Sequence, residues 1–279
     1  MKKFNVGIQL YGVRNSMKED FEGTIKAIAE MGYEYVEFAG YYDKSADEIK
    51  EILDKYNLKC ISVHQGLDFF DEDPVAKCEF LKKFGVKYSV IPWYEKEKLA
   101  GGDLWEDTKE RFIRAAKLFS ENGLMLGYHN HEFEFTKAKD KYLHDYIFEA
   151  IDEDKIVPEL DTCWVRYAGL DPANLIRKYK GRVEIVHLKD FVCKEFASGP
   201  VYDLIDGDGN DSGKPKSRDE NGFFFRPLGK GMQDFAAILK ACEECGTETV
   251  IVEQDQSYEL SELEAARISR EYLRDTFGI

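Results

Sequence analysis

Along nearly its whole length the chain alternates short β-branched or aromatic runs with amphipathic helical stretches, and that beat restricts the available folds more than any other feature. Eight such runs occur: FNVGIQLYG, YEYVEFAG, LKCISVHQG, VKYSVIPWY, LMLGYHNHEF, IVPELDTCWV, VEIVHLKDF and TVIVEQD. Helix signals fall between them. Ser45 with Glu48 forms a capping box ahead of IKEILDKY, and Asp73-Pro74 and Asp171-Pro172 each set a capping acid before a proline at the first helical position. Gly32, Gly85, Gly123 and Gly246 stand where helices should stop. Spread over 279 residues, these units average about 35 residues each, which suits an α/β chain closed into a (β/α)8 TIM barrel better than an open Rossmann sheet. Phosphate-loop patterns are missing, since Gly229-Lys230-Gly231 continues into Met232, Gln233 and Asp234 and completes neither GxGxxG nor GxxxxGK[ST]. One barrel domain over 1–279 is the expectation.

The segment from Glu195 to Arg226 breaks the beat, being rich in Gly, Asp and Ser and too long for an ordinary connection. Its DGDGND resembles the start of a calcium loop, but the sixth position is Asp211 instead of Gly and the twelfth is Ser217 instead of Glu. A structural or disordered loop is the better reading. It follows the seventh run, so in a barrel it would lie over the catalytic face, where it could cover a substrate or touch a second subunit.

Composition excludes several functions. With 43% of residues hydrophobic, a sizeable core is available. Fifty-four acidic against 39 basic residues give a net charge of −15, which would repel phosphate backbones and argues against nucleic acid as a partner. The amino terminus, MKKFNVGIQLYGVRNS, has no long apolar run or cleavage pattern, and no stretch approaches the roughly 20 apolar residues of a membrane span, so a cytoplasmic chain without membrane contact is expected. The only CxxC, Cys242 to Cys245, lies in a helical stretch without a second such pair, which points to free thiols.

Catalytic groups of a barrel sit at the carboxyl ends of its strands, and there this chain is unusually polar. The runs end with Glu37, His64, the pair His129 and His131, Glu159 and Asp161, His187 and Lys189, and Glu253 and Asp255. If LMLGYHNHEF is one strand, His129 and His131 share a face, because residues i and i+2 of a strand point the same way. Carboxylates and imidazoles from separate strands form a borderline-hard site suited to Mn²⁺, Mg²⁺, Co²⁺ or Zn²⁺, and Asp161, His187 and Glu253 are the best candidates. The zinc signature HExxH fails, since Phe135 stands where the second His should be after His131-Glu132, and no GxSxG elbow occurs.

The succession YHNHEFEF, ELDTCWVRYAGLDP, VHLKDF, PLGKGMQDF and IVEQD, closing with SREYL, resembles the sugar phosphate isomerase/epimerase group of xylose isomerase-like barrels over nearly the whole chain. That group includes ketose 3-epimerases, hydroxypyruvate isomerases, inosose and dehydroshikimate dehydratases and, more distantly, endonuclease IV. The resemblance implies that Asp161, His187 and Glu253 hold a divalent metal, with His129 at a position where many members place a glutamate ligand. It implies proton abstraction α to a carbonyl through an enediolate, with Glu253 or His131 as base and Lys189 polarising an oxygen or protonating a leaving hydroxyl. Glu37 and His64 are then assigned to substrate hydroxyls, and Trp93 and Trp164 to apolar walls. Ketose epimerases use two facing glutamates, of which this chain would keep only Glu253, and that strengthens a dehydratase or lyase as the alternative to an isomerase or epimerase. A nuclease or a non-catalytic sugar-binding barrel stands further off. The implied partners are a small carbohydrate and, at most, other copies of the chain.

Overall fold

The computed structural model describes residues 4–196 and 222–279, so the expected cover function of segment 195–226, and the DGDGND stretch within it, fall largely outside the described residues. Eight parallel strands close into a barrel. They are β1 (Asn5–Gln9), β2 (Tyr35–Phe38), β3 (Lys59–His64), β4 (Tyr88–Ile91), β5 (Met125–His129), β6 (Ile156–Asp161), β7 (Ile185–Leu188) and β8 (Thr249–Val252). Each pairs with its neighbours in sequence, and β8 closes on β1 with Ile8 opposite Val252. After each strand comes a helix: α1 (Phe21–Met31), α2 (Ala46–Lys55), α3 (Pro74–Lys83), α4 (Trp105–Glu121), α5 (Leu143–Glu149), α6 (Pro172–Lys178), α7 (Phe235–Cys245) and α8 (Glu262–Phe277). The chain is thus the (β/α)8 barrel its alternation predicts.

The helix boundaries lie where their chemistry requires. Ser45 and Glu48 satisfy each other's backbone N–H groups at the start of α2, while the side chains of Asp73 and Asp171 accept backbone N–H groups at the starts of α3 and α6. Gly32 and Gly246 end α1 and α7 at positive φ, a conformation open to glycine without steric cost.

Inside the barrel an apolar layer of Tyr88, Val90, Val157, Ile185 and Ile251 fills the lower part. Burial of side chains of this kind contributes roughly 1.5–3 kcal/mol each. Gly127, two residues before His129 and on the same inward face, keeps this layer close-packed, because a Cβ there would come within 2.7 Å of Val90 Cγ2. The polar layer therefore rests on a floor that cannot sag.

Two sequence readings need correction. The run VEIVHLKDF is not one strand: β7 ends at Leu188, and Asp190–Val192 turns away to pair antiparallel with Phe224–Arg226. Asp190 fixes this exit by accepting backbone N–H groups from Gly229, Gly231 and Gln233 at 2.9–3.1 Å. Likewise LMLGYHNHEF stops being a strand at His129, and a short 3-10 turn follows at Phe133–Phe135. The reason is Asn130, whose side chain accepts the Asp161 N–H at 3.1 Å and donates to the Asp161 carbonyl at 3.3 Å, engaging backbone groups that a longer β5 would have paired. His131 therefore lies beyond the strand, yet it lines the same cavity as His129. All six cysteines are free thiols. No helix among the described residues is long and apolar enough to cross a membrane.

Candidate active site

A cavity of about 350 Å³ opens at the carboxyl end of the barrel, lined by Tyr11, Ala39, Pro92 and Trp93 together with His64, His129, His131, Lys189, Glu253 and Asp255. Its size is that of a small-molecule site. Four of the lining residues are apolar or aromatic, and six are ionisable.

Four strands deliver the polar floor. His129 ends β5, Asp161 ends β6, His187 lies in β7, and Glu253 follows β8; ligand atoms of all four lie within 4.8 Å of one another. His129 Nε2 is 3.7 Å from Asp161 Oδ2, and His187 Nδ1 is 2.8 Å from Glu253 Oε2. The Lys189 ammonium lies among carboxylates, 2.8 Å from Asp255, 3.2 Å from Glu253 and 3.3 Å from Asp161. The Asp161 side chain also caps the short helix Thr162–Tyr167 through Oδ1, which fixes the carboxylate and turns Oδ2 toward Lys189 and His129.

Beneath this floor runs a second tier. Glu37 is fully buried, accepts hydrogen bonds from Gln9 and Ser62, and lies 2.9 Å from His187 Nε2 and 3.1 Å from His64 Nε2. The expectation that Glu37 binds substrate hydroxyls does not match this position, because it sits below the cavity and contacts histidines. Glu159, also fully buried, contacts His64 and His129 from the same depth. Of the two tryptophans assigned to apolar walls, Trp93 lines the cavity. Trp164 instead packs in an enclosed cluster with Tyr167, Phe191, Phe223 and Phe225, behind His131 and under the Lys189 ammonium, which lies 4.9 Å from its ring centre. It therefore backs the wall without forming it.

Sequence reasoning gave no role to Glu159, Asp255 or Tyr11. The signal for Glu159 was present in ELD, since alternation along a strand puts it on the same inward face as Asp161, one layer deeper. Tyr11 lies beyond β1, and its place follows from Arg14, which stacks 4.1 Å over its ring and donates to the Asp255 carbonyl.

Electrostatics divide the candidates for proton transfer. Burial pushes His131 well below the usual imidazole range, and His129 and Lys189 push the same way, so it is neutral and able to accept a proton. Burial would raise Glu253, but Lys189 and His187 outweigh it and hold the carboxyl well below its ordinary value. Asp161 is pushed up to about 7 by burial against the opposing pull of Lys189.

The donor set fits a divalent cation. Glu37, Glu159, Asp161, Glu253 and Asp255 are all buried, and among the described residues Lys189 is the one ammonium that pairs with them. Uncompensated buried carboxylates are costly; Lys189 and the imidazoles of His187 and His64, both held above their ordinary value against burial by the carboxylates around them, offset part of this charge, and a divalent cation would offset more. Two imidazoles and two carboxylates on separate strands suit the borderline-hard ions.

His131 is held by a neighbour. Glu134, fully buried, accepts its backbone N–H at 2.8 Å and the Tyr128 hydroxyl at 2.9 Å, and burial raises its carboxyl from 4.5 to about 8 against those two bonds. A carboxyl whose folded value is raised contributes stability fully below the unfolded value, and that contribution is lost as pH rises through the folded one. Glu134→Gln, which cannot ionise, should therefore gain on the wild type between about pH 5 and about pH 8, by about 1 kcal/mol or more in urea unfolding. Identical pH dependence in the two proteins would contradict the buried setting of Glu134.

The fold and this polar floor define a barrel able to carry a divalent metal. The family model described as "Xylose isomerase-like TIM barrel" matches residues 25–276, and the chain belongs to that family. Among curated proteins it is similar to an inosose dehydratase from Clostridium beijerinckii, 23% identical over 305 residues, covering 99% of this chain and 98% of the relative. Among solved structures it is similar to a sugar phosphate isomerase/epimerase from Parabacteroides distasonis, with a TM-score of 0.74 at 22% identity over 99% of this chain and 96% of that one. The IOLI protein with a bound zinc atom superposes with a TM-score of 0.70 at 16% identity, covering 97% of each chain.

Proposed function

We propose that the chain is a divalent-metal-dependent enzyme that removes the proton α to the carbonyl of a keto sugar or related polyol, working as an isomerase or epimerase through an enediolate. The observation that carries this reading is the convergence of His129, Asp161, His187 and Glu253 on the floor of one cavity that His131 and Lys189 also border. A divalent metal held by those four residues would supply Lewis acidity toward the carbonyl and neighbouring hydroxyl oxygens and so stabilise the enediolate charge. Glu253, ionised beside Lys189, and neutral His131 are the two groups able to take the α-proton. Lys189 can donate a proton to a sugar oxygen, with Asp255 holding its ammonium at 2.8 Å. The apolar faces of Trp93 and Tyr11 suit the C–H surface of a sugar ring.

Dehydration is a second reading, favoured by a specific feature. Strand β5 offers His129 where two-base epimerisation would want a second carboxylate, and an ammonium stands beside Glu253, positioned to protonate a departing hydroxyl. The name of the Clostridium relative agrees with that outcome.

The test is loss of the α-proton NMR signal in heavy water from a panel of ketoses and inososes, with and without chelator. Chelator-sensitive exchange is expected for at least one of them, and no exchange from any by the metal-loaded protein would overturn the proposal. Lys189→Gln separates the two outcomes. For a dehydratase, exchange should persist while elimination falls by roughly two to four powers of ten; for an isomerase, exchange and turnover should fall together.

A further inference from the structure

Glu159 lies in the barrel interior, fully buried and away from the cavity wall, yet one of its oxygens meets three imidazoles. Its Oε2 is 2.6 Å from His64 Nε2, 3.1 Å from His129 Nδ1 and 3.3 Å from His187 Nε2. The strand register creates this meeting: His129 pairs across with Glu159, and Asp161, two residues further along β6, pairs across with His187. His129 is thereby clamped between two carboxylates of a single strand, its Nδ1 toward Glu159 below and its Nε2 toward Asp161 above.

Resting on the metal reading above, we propose that Glu159 is a positioning residue that selects the tautomer of His129 and so turns a lone pair toward the metal seat. The reasoning is one of hydrogen-bond inventory. A carboxylate only accepts, so the His129 nitrogen facing it must carry the proton; a neutral imidazole has one N–H, so Nε2, the nitrogen facing Asp161, is left with the free pair that a metal ligand needs. The same inventory does not order His187, because both of its nitrogens face carboxylates, Nε2 toward Glu37 at 2.9 Å and Nδ1 toward Glu253 at 2.8 Å. Carboxylate partners of this kind orient ligating histidines in metal sites generally.

His64, His129, Glu159 and His187 also lie close enough together to hold a cation themselves. With neutral imidazoles the two arrangements exclude each other. A cation in the deep set would require the His129 lone pair on Nδ1, which puts N–H on Nε2 and removes His129 from the upper set. Access decides for the upper seat: His129 and Glu253 line the cavity, whereas Glu159 is fully buried away from it.

The test uses the full chain and zinc alone. Long-range ¹H–¹⁵N spectra, with His129 assigned by its disappearance in His129→Gln, should show the proton on Nδ1 in both metal-free and zinc-loaded protein. Zinc affinity, measured by chelator competition, should fall roughly 10-fold in Glu159→Gln, which keeps one acceptor oxygen, and roughly 100-fold in Glu159→Leu. Should Glu159→Leu fail to fold, the Gln variant and the spectra carry the test. Wild-type protein that takes no zinc would sink the metal reading. Protein that binds zinc with His129 protonated on Nε2, that binds it in the deep set, or that binds it equally well in all folded Glu159 variants would overturn the role of Glu159 and leave the metal reading standing.

Discussion

Replacing His187 with alanine should leave the purified protein without its divalent metal and, with it, without α-proton exchange. His187 is fully buried at the centre of the cluster, one nitrogen toward Glu253 at 2.8 Å and the other toward Glu37 at 2.9 Å. Loss of an outer partner costs roughly 10–100-fold in metal affinity, and loss of a ligand should cost more. The barrel itself should persist, since β7 pairs with β8 through backbone groups that the substitution leaves in place, with His187 opposite Ile251. Thermal stability should still drop, because three buried carboxylates lose an imidazole partner. Elemental analysis together with far-UV circular dichroism reads both effects. A folded His187→Ala protein with unchanged metal content would remove His187 from the ligand set.

The second large effect separates the histidines of YHNHEF. His131→Ala should keep its metal and lose α-proton exchange by roughly two to four powers of ten, the usual contribution of a general acid or base. His131 borders the cavity, it is neutral, and Glu134 and the ring of Trp164 hold it in place. His129→Ala should fail first on metal, and added metal should partly restore it, because His129 is one of the four residues whose ligand atoms converge on the cavity floor, with Nε2 3.7 Å from Asp161 Oδ2. The two ring centres are only 5.2 Å apart, so their difference in role depends on which groups each ring faces. If both variants kept metal and exchange but melted at lower temperature, both histidines would be structural.

The barrel was legible from the chain because its signals are local: capping acids before prolines, glycines after helices and strand runs at a steady interval. Asp161, His187 and Glu253 could be picked out for a related reason, since a polar residue at the end of a barrel strand has few places to point other than the mouth. Depth could not be read in this way. Whether Glu37 lines the cavity or lies beneath it depends on the stagger between strands, which sets it level with Gln9 and Ser62, and no single strand encodes that stagger. The place of Trp164 depends on Phe223 and Phe225, which return from some 60 residues along the chain to enclose it. The early end of β5 hinges on Asn130, whose amide reads like a strand residue in sequence and acts as a backbone clamp in space.

The most direct measurement is the rate of α-proton exchange in heavy water as a divalent ion is added back to chelator-stripped wild-type protein, with bound metal counted in the same samples. The proposed site predicts exchange that is absent at the start, rises in proportion to bound ion and levels off at one ion per chain. Full exchange by the stripped protein, or none at full occupancy with any keto sugar or inosose tested, would contradict it.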